Sequence, residues 1–231
     1  DMRFASDGSL LISDGDGAHY DLTDAGGYDP NGFGPGKFDY SEDIGAYRSQ
    51  FIKSLDGKVL RLDPANGHGY PSNPFYDGDP ASVRSRVWAY GFRNPYRFTV
   101  RPNSGSTNPA TGNPGAIYLG DVGWNDWEEL DVIAFAGFNS GWPCFEGPVV
   151  QSEYQPLSPA HLGCDSLGIV PNDPNPATAP LASWHHRLDY VGTPPGFLGN
   201  ASTGGVCYTD TLYPAKYRGK YFHGDYGQSW V

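Results

Sequence analysis

Apolar and polar positions along this chain alternate in short runs of four or five residues, and no run sustains a helical period. The runs Leu10–Ser13, Lys58–Leu62, Arg86–Tyr90, Arg97–Arg101, Ala116–Leu119, Leu130–Ala134 and Lys220–His223 predict β-strands. A polar strand is predicted around Trp184, His185 and His186, and the run GGVCYTD is strand-like. Between them, Ala18–Tyr47, Asn66–Ser82 and Gln151–Pro180 are rich in Gly, Pro, Asn and Asp and predict long connections. Loops of that length inside a compact domain are uncommon unless they are functional or tied down by ions or disulfides.

A strand running into Gly-Asp occurs three times: Gly15-Asp16 in LLISDGDG, Gly120-Asp121 in AIYLGDVG and Gly224-Asp225 in KYFHGDYG. The aspartates are 105 and 104 residues apart. Half of that, about 52, suits one four-stranded propeller blade of roughly 40–50 residues with its loops. The pattern therefore predicts an all-β protein, a β-propeller in which every second blade carries a Gly-Asp turn. The end at Gln228-Ser229-Trp230-Val231 falls as if inside a strand, which suggests part of a longer propeller.

Composition sharpens this picture. The 32 glycines and 21 prolines in 231 residues would by themselves suggest disorder, but 15% aromatic residues supply the buried area of a packed, turn-dense β protein. A net charge of −11 excludes the basic stripe that nucleic acid requires and disfavours an anionic membrane surface, while suiting calcium. No apolar run reaches the length of a transmembrane helix, so no membrane insertion is expected. No signal-peptide pattern opens the chain, and a mature secreted chain has already lost its own.

Of the three cysteines, Cys144 and Cys164 lie 20 residues apart in a Pro/Gly-rich stretch. A disulfide closing such a loop contributes roughly 3 kcal/mol. Three free thiols are the alternative. Cys207 fits a small buried hydrophobe.

Five stretches, in order, resemble the glucose/sorbosone dehydrogenase family of soluble sugar dehydrogenases that use pyrroloquinoline quinone (PQQ). They are 4-FASDGSLLISDGDG-17, 57-GKVLRLDP-64, 88-WAYGFRNPYRFTVRP-102, 119-LGDVGWNDWEELDVI-133 and 139-NSGWPCFEG-147, with a weaker match over 204-GGVCYTDTLYPAKYRGKYFHGDYG-227. The resemblance implies a six-bladed propeller, of which this chain would cover roughly four blades, and a secreted or periplasmic protein. It also implies a histidine general base, whose matching position falls just before Asp1. None of the six histidines present takes that role by motif.

The resemblance assigns Arg93 and Asn94, in GFRNP, to the cofactor, with Arg93 the candidate catalytic group; the alternative is that Arg93 only salt-bridges or caps carbonyls at the end of a strand. A fixed guanidinium stabilises negative charge developing on a quinone oxygen. Backbone carbonyls of Gly123 and Trp124 would bind a calcium shared with the cofactor. Val122 and Trp124 depart from the glucose dehydrogenases here, and Trp124 would fill cofactor space, stack on a sugar or simply pack. Glu129 matches a glutamate that holds a second, structural calcium with a carbonyl from Asn139 or Ser140; the alternative is that it accepts backbone N–H bonds at the turn. The acidic loop Asp14, Asp16, Asp21, Asp24, Asp29 lacks EF-hand order and fits solvated surface acids. Asn200-Ala201-Ser202 fits a glycosylation sequon, relevant in a eukaryotic secretory setting. Where catalytic members anchor the tricarboxylate cofactor with basic residues, this chain has Asp225-Tyr226-Gly227-Gln228, with Lys216, Arg218 and Lys220 nearby in sequence.

Two function classes follow. One is an oxidoreductase acting on a small-molecule sugar or related alcohol through PQQ and calcium. The other is a non-catalytic extracellular module of the same family with a protein partner.

Overall fold

The computed structural model describes residues 1–29, 31–157, 164, 177–187 and 197–231. The first sheet contains β1 (Met2–Phe4), β2 (Leu10–Asp14), β3 (Lys58–Leu62) and β4 (Val87–Tyr90), antiparallel and in chain order. The second begins at once with β5 (Pro95–Val100), β6 (Ile117–Asp121) and β7 (Trp127–Ile133). A small hairpin of β8 (Phe145–Glu146) and β9 (Val149–Val150) follows, and β10 (Ala182–His185) then completes the second sheet beside β7. The strands β11 (Ser202–Cys207) and β12 (Tyr221–Asp225) form a third, two-stranded sheet.

The seven predicted strands are present, with shifted ends. Arg86 belongs to a one-turn helix, α1 (Val83–Arg86), capped by the Ser82 hydroxyl, so β4 starts one residue late. The strand predicted from Leu130 starts three residues earlier, because Trp127, Glu128 and Glu129 pair with His185, Trp184 and Ser183 and are buried there. Buried acids on a strand broke the alternation that the sequence reading relied on.

The Gly-Asp repeat needs a correction. Asp16, Asp121 and Asp225 fall one to each successive sheet among the described residues, not one to every second blade. The loops that stretch each sheet to about twice the assumed length hid this from the count. In each sheet the aspartate is buried and works as an acceptor. Asp16 takes the Ala18 N–H (3.0 Å) and Trp142 Nε1–H (2.7 Å). Asp225 takes N–H groups of Ala201 and Gln228 (both 3.0 Å) and Trp184 Nε1–H (2.9 Å).

The faces of the first two sheets meet over Leu11, Val59, Trp88, Phe98, Ile117, Leu119 and Ile133. The strand β3 is buried throughout, including two cations. Lys58 donates to the carbonyls of Arg48, Ser49 and Asp56 at 2.6–2.9 Å. Arg61 pairs with Asp7 at 2.6 Å and also donates to Asn73 and the Pro109 carbonyl. Buried charge needs partners of this kind, and Arg61 lacks one only at Nε.

The second and third sheets meet at Ser202, whose hydroxyl donates to the Glu129 carbonyl (2.8 Å) and lies 3.0 Å from His223 Nε2. Burial depresses the His223 pKa from 6.5 to about 4, partly opposed by Asp225. A depressed histidine favours the neutral ring in the folded state. Its contribution is therefore complete above the unfolded value of 6.5 and declines as pH falls from there toward 4. Melting of His223→Gln across pH 7 to 4.5 should show a smaller loss of stability than wild type. Equal losses would mean that this histidine does not titrate as described.

Candidate functional site

The loop after β6 folds back tightly on itself. A Cβ at Gly123 would meet the Trp127 carbonyl oxygen at 1.6 Å, so only glycine fits. This return leaves a row of N–H groups facing inward. One oxygen, Glu146 Oε1, accepts from Trp124 (2.7 Å), Asn125 (2.9 Å), Asp126 (3.1 Å) and Trp127 (3.2 Å). Its other oxygen takes Gln151 Nε2–H at 3.0 Å. Glu146 is 2% exposed and reaches the loop from the β8–β9 hairpin. That hairpin is tied down by the Cys144–Cys164 disulfide, with Cα atoms 5.4 Å apart. Cys207 is free and buried.

Trp124 is a core residue. It packs edge-on against Trp142 and Tyr154, and its Nε1–H donates to the Tyr20 carbonyl at 3.1 Å. Arg93 lies over the same cluster, its guanidinium 5.9 Å from the Trp142 ring. Arg93 Nη1 donates to the carbonyls of Val122 (3.1 Å) and Gly123 (2.6 Å), and Nη2 to that of Tyr20 (3.4 Å). The Gly123 carbonyl, predicted to face calcium, thus faces Arg93. Arg93 and Asn94 line a cavity of about 230 Å³ together with the segment Gly15 to Tyr20. Asn94 also borders a second cavity, of about 290 Å³, with Val122, Ser202 and Tyr226. His19 faces the first cavity, but its Nδ1 accepts N–H bonds from Asp21 and Leu22. The neutral ring therefore carries its proton on Nε2 and offers a donor, not a base.

The Arg93 backbone is held by one of three clustered buried carboxylates. Asp121, Glu129 and Asp131 offer oxygens that all lie within 4.8 Å of one another. They meet because Asp121 pairs with Glu129 across the β6–β7 ladder and Asp131 shares the face of Glu129. Asp121 accepts N–H bonds from Arg93 (2.9 Å) and Asn94 (2.6 Å), and Glu129 accepts one from Gly147. Ser140 Oγ lies 3.0 Å from Asp131 and 3.3 Å from Glu129, which joins the two predicted metal residues. The alternative, the Asn139 carbonyl, accepts the Thr178 N–H at 2.7 Å. Asp131 Oδ1 is buried without any hydrogen-bond donor. Burial, then mutual repulsion, pushes Asp121 and Glu129 well above the ordinary carboxyl range, and burial raises Asp131 to about 7. An uncompensated cluster of this kind suits a hard cation that prefers oxygen ligands.

Other predicted features fall elsewhere. Asp16 and Asp24 of the acidic loop are buried acceptors rather than solvated acids, whereas Asp14, Asp21 and Asp29 are exposed. Burial follows from capping: Asp24 takes the N–H groups of His19 and Gly26. Lys216, Arg218 and Lys220 are exposed in the connection joining the Cys207 and Tyr221 ends of β11 and β12, whereas Ser202 and Asp225 pair at the other end, beside the carboxylates. Asn200 is exposed and Ser202 buried. His161 lies outside the described residues. Sequence reasoning missed Asp121, Asp131 and Glu146. The hairpin register would have exposed the first two, but nothing local marks Glu146.

Two antiparallel four-stranded sheets followed by a third, with a polar site at their strand ends, define a β-propeller class of protein. The profile "Glucose / Sorbosone dehydrogenase" matches residues 1–159, and the chain belongs to that family. It is similar to HIPL2 protein of Arabidopsis thaliana, 29% identical over 97% of this chain and 27% of that protein. Aldose sugar dehydrogenase YliI of Escherichia coli is 30% identical over 41% of this chain and 22% of its own length. A solved glucose dehydrogenase shares the fold with a TM-score of 0.58 at 22% identity, over 99% of this chain and 47% of that one. The chain thus spans about a quarter of the length of the curated relatives.

Replacing Glu146 with Ala strips four loop N–H groups of their acceptor and should cost about 3 kcal/mol. Hydrogen exchange at Trp124 to Trp127 should speed up selectively. Unchanged protection there would show that the loop holds its shape without Glu146.

Proposed function

We propose that this chain provides the quinone-facing and calcium-binding part of a secreted sugar dehydrogenase. The observation that carries this reading is the half-buried Arg93, which lines a cavity and whose backbone N–H is held by Asp121, one of three clustered buried carboxylates. The cluster fits calcium: Asp121, Glu129, Asp131 and the Ser140 hydroxyl would hold it, and the unpartnered Asp131 oxygen is the ligand it lacks. Arg93 and Asn94 fit the quinone edge of PQQ. The three carboxylates of that cofactor call for paired cations, and Lys216, Arg218 and Lys220 lie at the far end of their hairpin.

When bound, the quinone supplies a two-electron acceptor for a hydride from the sugar carbon. The chain's own part is electrostatic. Arg93 is fixed through its side chain by Val122, Gly123 and Tyr20 and through its backbone by Asp121, so it stabilises developing negative charge without reorganising. Trp124, Trp142 and Tyr154 form a buried aromatic cluster against which the Arg93 guanidinium lies. The Cys144–Cys164 bond supports an oxidising, extracytoplasmic compartment. A second reading, a non-catalytic extracellular binding module, is favoured by one observation: the Arg93 guanidinium already donates to three carbonyls.

Titrating PQQ with calcium into the full-length protein separates the two readings. The dehydrogenase reading expects micromolar or tighter binding with sugar-dependent dye reduction, and at least a tenfold loss of affinity in Arg93→Ala. Absence of binding would leave the module. For the metal, chelation should lower the melting temperature of wild type much more than that of Glu129→Gln. Equal shifts would place any ion elsewhere.

A further inference from the structure

Asp121 belongs to two assemblies at once. Its carboxylate is 3% exposed and contributes to the cluster with Glu129 and Asp131. The same two oxygens hold the turn of GFRNP, Oδ2 on the Arg93 N–H and Oδ1 on the Asn94 N–H. The Arg93 side chain then returns to the carbonyls of Val122 and Gly123, the two residues after Asp121. Val122 N–H closes the ring by donating to the Asn94 carbonyl at 3.0 Å. Backbone 93–94 and backbone 121–123 therefore clamp one another, and Asp121 is the side chain on which the clamp turns.

We propose that Asp121 is a positioning residue through which a cation bound in the carboxylate cluster sets the placement of Arg93 and Asn94. The independent sign of a cation is Asp131 Oδ1, fully buried and without a donor. A divalent ion drawn to Asp131 and Glu129 also draws Asp121, and fixes its oxygens against the two N–H groups. Without the ion, three carboxyl groups crowd within 4.8 Å and must share protons or move apart, and either change loosens the one that holds Arg93. Cation occupancy is thereby coupled to the order of the arginine and not only to overall stability. This inference rests on the cation site proposed above.

The test is amide hydrogen exchange of the full-length protein, with calcium binding measured separately by calorimetry and no quinone present. In wild type, saturating calcium should slow exchange at Arg93 and Asn94 at least tenfold. In Asp121→Asn, protection of those amides should be low and the same with or without calcium. Asp131→Asn keeps the clamp intact and should require more calcium to reach the same protection. If calcium binds wild type but leaves the Arg93 and Asn94 amides unchanged, the coupling is wrong although the cation site stands. If calorimetry detects no calcium binding, the cation site itself fails, and the coupling with it.

Discussion

A chain that doubles back within eight residues turns a row of N–H groups inward, and burial makes each of them demand an acceptor. In this protein one carboxylate oxygen, from Glu146, meets four of them. That single convergence fixes the loop from Gly123 to Trp127. The fixed loop in turn directs the Val122 and Gly123 carbonyls at Arg93 and drives Trp124 into the aromatic cluster. The disulfide beside Glu146 keeps the hairpin that delivers it in place. The loop is thus neither a plain corner nor a sugar platform; its backbone serves the arginine.

Buried acids recur as the working parts of this fold. Asp16, Asp121 and Asp225 hold the end of one sheet each, and Glu128 receives the Ser202 N–H at 2.6 Å and faces His186 Nε2 at 2.8 Å. The three aspartates use backbone or indole N–H groups in place of salt bridges, whereas Glu128 pairs with the His186 imidazole. Where donors run short, between Asp121, Glu129 and Asp131, the carboxyl pKa values rise and a cation becomes the natural complement. The candidate site sits where satisfaction is incomplete.

Much of the fold was legible because β2, β3, β6 and β12 read as short strand-like runs bounded by turn residues. Blade spacing was not legible, since insertions between strands add residues without adding sheet. Arg93 and Asn94 were candidates from GFRNP, and Glu129 with the Ser140 carbonyl from the WEELDVI and GWP stretches; the structure brings the Ser140 hydroxyl, not its carbonyl, to Glu129. Asp131 was hidden inside an apolar run, where a carboxylate is least expected. Asp121 looked like a turn residue until the ladder placed it opposite Glu129. Glu146 acts across 19 to 22 residues of chain, and no local pattern encodes such a partner.

Whether a cation occupies the three carboxylates is decided by a crystal structure of the protein grown with calcium, with anomalous difference density collected where calcium scatters. A bound ion gives a peak between Asp121, Glu129 and Asp131, with carboxylate oxygens at about 2.3–2.6 Å and Asp131 Oδ1 among them. Well-ordered carboxyl groups that share protons or bind only water, with no anomalous peak between them, would contradict a cation there.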